Sequence, residues 1–237
     1  MADHLEEQEQ IDAIKKWWNK NWYSVVFPLL AVVLAYGGWS TWQHYKVSQA
    51  ERGSKAYEAI LAKVDNKAVL DSDTQSQVLA MASALAEDQR GSLYGNYASL
   101  LLAKLAMDDE DPESAAEHLQ MVIDKGANEQ IILVAKSRLA RLHLARGTYD
   151  EALALVEGVE DSAFVSSFAE IRGDIYAEKG DRAAATQAYQ QALDSAEPTA
   201  FTRQNILQLK LNNNKLPDTE KDVSSDAEPS VADEATP

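Results

Sequence analysis

Between Lys20 and Lys46 the chain carries no formal charge, and this gap constrains its architecture more than any other feature. Residues 21–45 read NWYSVVFPLLAVVLAYGGWSTWQHY. A helix needs about 20 mostly apolar residues to cross a hydrocarbon layer roughly 30 Å thick, so 21–45 is expected to be a single transmembrane helix in the lipid bilayer. Trp17, Trp18, Trp22 and Tyr23 stand at one end, and Trp39, Trp42 and Tyr45 at the other. Such rings settle at headgroup level with their polar edges in water, which makes these seven the expected membrane-interface residues. Pro28 lies near the start of the span, where a helix has unpaired donors, so it is expected to leave the span intact.

The rival reading is a cleaved secretory signal, since Ser48, Gln49 and Ala50 resemble a small-residue cleavage site. Signal cores run about 7–15 residues and lack aromatic girdles, so retention is expected. Lys15, Lys16 and Lys20 precede the span, and Lys46, Arg52 and Lys55 follow it, so basic residues decide orientation weakly. Long domains translocate almost regardless of charge, which puts residues 1–20 in the cytoplasm as an arm and the bulk of the chain outside. Ile11, Ile14 and Trp18 form one helical stripe suited to the bilayer surface; a docking helix for a cytoplasmic partner is the alternative.

A net charge of −16 argues against nucleic acid as a partner. With no cysteine there is no disulfide, thiolate metal site or cysteine nucleophile. His4, His44, His118 and His143 show no metal-binding spacing. His118 and His143 read as partly exposed helix residues. Gly91, Ser92, Leu93, Tyr94 and Gly95 place the serine one position too early for a nucleophile elbow, and no strand precedes them. No enzyme, cofactor, metal or small-molecule substrate is expected.

After the span the pattern is helical throughout. Residues 47–64 can continue the membrane helix, 65–74 form a polar break, and 75–88 make a helix. Ser92 is placed to cap the next helix. Three helix pairs follow: 92–107 with 114–123, 131–146 with 149–158, and 166–179 with 182–196. Gly147 and Gly180 are 33 positions apart, as are Ala152 and Ala185, and Ala115 lies 37 before Ala152. A period near 34 with a helix–turn–helix unit is the tetratricopeptide signature. The glycines should end the first helices in a left-handed residue, and the alanines should let paired helices approach closely. Gly173, Tyr176, Gly180, Asp181, Ala185, Tyr189, Ala192 and Pro198 fall in this register, the proline one position late. The middle unit has His143 and Val156 in aromatic slots, and the first has Leu119 and Val122 in the corresponding ones. The fold class is therefore all-α: an N-terminal membrane helix, then a tetratricopeptide-like solenoid over 46–212. Residues 213–237 are acidic and poor in large aliphatics, the composition of a disordered tail.

Stacked pairs expose the faces of their first helices, and such surfaces bind partner segments. The lining positions by register include Tyr97, Leu100, Lys104, Arg141, Leu144, Glu170, Asp174 and Glu178, although Tyr97, Leu100 and Leu144 can equally be core.

Further residues carry a resemblance over about 8–212: Gln10 through Trp18 in the arm, Gly38 and Trp39 at the span exit, and Ala56 and Tyr57. Tyr94 through Leu100, Arg138 through Arg141, Leu153, Arg172 to Asp174 and Lys179 to Asp181 extend it. In their order and spacing they resemble the ancillary SecYEG translocon subunits, a family of membrane-anchored tetratricopeptide-like proteins. The resemblance implies a bacterial inner-membrane protein with its repeats in the periplasm. Its implied partners are the SecYEG translocon and a membrane-anchored periplasmic chaperone to which emerging chains pass. It also implies a role in envelope-stress regulation, for which the sequence gives no separate support. The alternatives are an assembly factor for another envelope complex that self-associates through its repeats, and a regulator acting through the cytoplasmic arm.

Overall fold

The computed structural model describes residues 2–64, 71–159 and 163–215, and all regular structure among them is helical. The chain divides into two compact units, Met1–Ala62 and Lys63–Pro237. Of the expected tail 213–237, residues 213 and 214 are helical instead, and 216 onward lies outside the described residues.

The first unit is formed by α1 (Ala2–Val64). Its axis turns by 42° where Ile14–Ser24 meets Val26–Val64. Pro28 accounts for the turn. It lies well inside the helix rather than near its start, it has no N–H for the Ser24 carbonyl, and its ring pushes against that carbonyl. The expectation that Pro28 escapes this conflict by sitting in the first turn is therefore corrected. No single straight helix among the described residues is long and apolar enough to cross a membrane; by length and composition the bent pair qualifies only when taken together. No break occurs at Gly53, as the helix runs on to Val64.

The second unit contains α2 (Ser72–Asp88), then three hairpins: α3 (Leu93–Asp108) with α4 (Pro112–Lys125), α5 (Glu129–Ala145) with α6 (Tyr149–Val156), and α7 (Val165–Glu178) with α8 (Arg182–Asp194). The last helix, α9 (Phe201–Asn214), was not anticipated as a separate element. Side-chain caps set several starts. Asp71 accepts from the Thr74 N–H at 2.9 Å, Ser92 from Gly95 at 3.1 Å, Asp111 from Ser114 at 3.0 Å, Asn128 from Ile131 at 3.0 Å and Asp181 from Ala184 at 3.0 Å. Ser92 thus takes the capping role expected of it. Asp71 and Asn128 start α2 and α5 earlier than the hydrophobic pattern does.

The three hairpin turns are built alike. Gly147 and Gly180 have φ of 74° and 80°, the left-handed conformation expected of them. The matching position in the first hairpin is Glu110, at φ 59° without the freedom of glycine. In each turn the next N–H reaches back five residues: Asp111 to Ala106 at 2.8 Å, Thr148 to His143 at 3.0 Å and Asp181 to Tyr176 at 2.9 Å. This Schellman closure satisfies carbonyls that the helix end would leave open. His143 shares a 2.7 Å hydrogen bond with the Thr148 hydroxyl in its turn.

Ala115, Ala152 and Ala185 are fully buried at the three helix-pair contacts. One core cluster joins α3, α4 and α5 through Leu100, Leu119, Val122 and Leu139, and a second joins α5, α6 and α7 through Leu133, Val156, Phe168 and Ile171. The α7/α8 pair packs closely at Gly173. A Cβ on Gly173 would lie 2.6 Å from two ring carbons of Tyr189.

Candidate functional site

The side chains at the ends of α3, α5 and α7 fix one edge of the stack. Arg146, just after α5, pairs with Glu113 at the start of α4 at 2.8 Å. Lys179, just after α7, pairs with Asp150 at the start of α6 at 2.7 Å. Arg182 donates to the Asn213 carbonyl at 2.7 Å, which brings the end of α9 to the start of α8. The first two pairs recur at the repeat period. Both are largely exposed and contribute little stability, but they align successive turns.

Two grooves run along the face carried by the first helices. The groove between α3 and α5, about 430 Å³, has an apolar floor of Ala103, Met107, Leu119, Leu142 and Ala145 and a cationic rim of Lys104, Arg138 and Arg141. Lys104 bonds Asp108 at 2.6 Å; Arg138 and Arg141 are exposed and have no partner among the described residues. The second groove, about 650 Å³, lies between α5 and α7 and is lined by Leu144, Tyr149, Asp174, Glu178, Tyr189 and Lys210 among others.

Beside the second groove, Glu170 and Asp174 are paired with cations of α9. Lys210 of α9 donates to Glu170 at 2.9 Å and to both Asp174 oxygens at 2.7 and 2.9 Å. Arg203 donates to Glu170 at 2.8 Å, and the Tyr189 hydroxyl to Asp174 at 2.8 Å. The Arg203 Nε is buried without a partner among the described residues. Burial alone would lower the Lys210 pKa, but its hydrogen bonds to Asp174 and Glu170 outweigh this and raise it. Burial, then the Asp174 hydrogen bond, raises the Tyr189 phenol well above its ordinary value.

The residues singled out from sequence divide accordingly. Lys104 and Arg141 face the first groove, and Leu144, Asp174 and Glu178 the second. Leu100 is buried in the first core, with Tyr97 half-buried against it and edge-on to Tyr94. Glu170 is held by α9. Arg138, Lys210 and Arg203 were missed; the i, i+3 relation of Arg138 to Arg141 was visible, whereas pairings 33–40 residues apart were not. No three His, Asp or Glu side chains converge as a metal site among the described residues.

On α1, Trp17, Trp18, Trp22, Tyr23, Trp39, Trp42 and Tyr45 are all exposed. The Trp22 and Tyr23 rings lie 3.9 Å apart, and the Lys46 ammonium sits 3.7 Å over the Trp42 ring.

Known proteins of similar sequence extend over most of the chain. It is 29% identical over 216 residues to a protein of Aggregatibacter actinomycetemcomitans named "Ancillary SecYEG translocon subunit", covering 90% of this chain and 100% of that one. A protein of the same name from Neisseria gonorrhoeae is 29% identical over 215 residues, covering 91% and 100%. One from Escherichia coli, again so named, is 27% identical over 213 residues, covering 90% and 98%. The family model described as "Tetratricopeptide repeat-like domain" matches residues 15–215, and together with the three capped hairpins this establishes that the chain belongs to that family.

Proposed function

We propose that this protein is a non-enzymatic accessory subunit of the SecYEG translocon in the bacterial inner membrane. The observation that carries the reading is the similarity to proteins bearing that name, which spans about nine-tenths of this chain and the full length of those relatives, with the family match reaching into the arm and the apolar stretch. Residues 21–45 cross the bilayer, with the aromatic rings of α1 at its two surfaces and the turn at Pro28 within it. Residues 1–20 face the cytoplasm and 46–212 the periplasm. There the first-helix face takes hold of partner segments and helps pass emerging chains to a membrane-anchored periplasmic chaperone. Tyr97, Leu100, Lys104, Arg141, Leu144, Glu170, Asp174 and Glu178 belong to that face, with Lys104 and Arg141 as exposed cations on it.

The test is recovery of the full-length protein from its own membranes in mild detergent, with mass spectrometry of what accompanies it. Translocon subunits and a periplasmic chaperone should co-purify. Recovery alone, or with a different envelope complex, overturns the reading. Because the natural chain has no cysteine, Lys125→Cys should react with a membrane-impermeant maleimide in intact cells and Asp3→Cys should not.

A further inference from the structure

Seven arginines lie between Asp71 and Lys215. Five are bonded: Arg90 to Glu87, Arg146 to Glu113, Arg172 to Gln191, Arg182 to the Asn213 carbonyl and Arg203 to Glu170. Arg138 and Arg141 are the two without a partner among the described residues, and both stand on the wall of the α3/α5 groove. In a chain of net charge −16, two free guanidiniums one helical turn apart above an apolar floor make an unmet demand. They call for a short anionic segment carrying a small aliphatic side chain.

The chain supplies one. Residues 216–237 contain seven acids against one lysine, and within them Val231 is followed by Ala232, Asp233 and Glu234. The family match ends at residue 215, so this segment lies outside it. Lys215 follows the end of α9, which Arg182 and Thr186 hold at the start of α8. The Arg146–Glu113 and Lys179–Asp150 pairs join the successive turns along that same edge. Met107 and Ala145, which line the groove, lie at the corresponding ends of α3 and α5. With neighbouring helices 8–10 Å apart, the exit and the groove are separated by about 25 Å. A 15-residue connection has an r.m.s. length of about 20 Å and a reach of about 50 Å, which suits that span. At the resulting millimolar effective concentration even a weak contact is populated.

We propose that residues 231–234 dock in cis in the α3/α5 groove, with Val231 against Met107 and Leu119 and with Asp233 and Glu234 on Arg138 and Arg141. The groove is then self-occupied, and any acidic partner must displace the tail. This does not depend on which membrane machine the protein serves.

The absence of natural cysteine makes the test direct. Lys104→Cys combined with Ala232→Cys in the full-length protein should form an intramolecular disulfide under mild oxidation. The rate should fall about tenfold when Arg138→Glu and Arg141→Glu are added. It should fall similarly in 1 M salt, where the Debye length is about 3 Å, and Arg138→Lys with Arg141→Lys should restore most of it. Equal rates in all backgrounds overturn the proposal. So do bridges formed between two chains, which would make the occupant a second copy. If the glutamate variant loses its helical circular dichroism, the salt series decides alone.

Discussion

The first and last hairpins follow the same backbone path but are finished differently. In α3/α4 the residues at the register of closest approach are Ala103 and Leu119, buried in one core cluster, and in α5/α6 they are Ala140 and Val156, buried in another. At the same register in α7/α8 they are Gly173 and Tyr189. The larger ring on the second helix is matched by the loss of a methyl on the first, so the spacing of the pair is set by a summed volume rather than by either residue. Closure differs as well. Around α7, Glu170 and Asp174 are taken up by α9, whereas Arg138 and Arg141 on the α3/α5 groove have no partner among the described residues. A repeat can therefore share its turns and differ in what its exposed face can still bind.

That contrast can be broken at its strongest point. Lys210→Ala removes the cation between Glu170 and Asp174, whose side chains are 15% and 26% exposed, and should cost roughly 2–3 kcal/mol in chemical denaturation. Its contribution should hold at pH below the ordinary lysine value of 10.5 and be lost as pH rises through the higher folded value. Next in size, Gly173→Ala should destabilise by about 2 kcal/mol through its clash with Tyr189. In a Tyr189→Leu background the same change should instead stabilise by about 0.5–1 kcal/mol, because only the helix propensity of alanine remains.

In the first hairpin the expected signs reverse. Glu110→Gly relieves a left-handed side-chain residue and should stabilise by about 1 kcal/mol, giving the turn the residue type its two counterparts already have. The smallest effect concerns His118 on α4, whose pKa burial lowers. The unfolded chain takes up the proton more readily, so stability should decline as pH falls through about 6.5. His118→Gln should remove that part of the decline, as urea titrations at pH 7.5 and 5.5 would reveal.

The period and the left-handed glycines were legible because they are local. Gly147, Gly180 and the three alanines announce turns and close approaches through residue type alone. Helix α9 was not legible: only Leu207 and Leu211 are buried, Ala200 offers no capping side chain, and three asparagines end it. It is placed by Arg203 and Lys210 reaching residues 33–40 positions earlier, which no periodicity encodes. Glu170 and Asp174 were likewise read as open binding positions because sequence gives register but not what covers it. In α1, composition revealed the apolar stretch, whereas the turn at Pro28 depended on where the helix began.

The position of Tyr189 has a spectroscopic consequence. Its ring is 2% exposed and its hydroxyl is committed to Asp174, so forming a phenolate there would bury a negative charge beside two carboxylates. Its ionisation should therefore lag behind that of the exposed tyrosines as pH rises. The part of the phenolate absorbance that a Tyr189→Phe variant lacks, followed after a jump to high pH, should then report the loosening of the last repeat without any label.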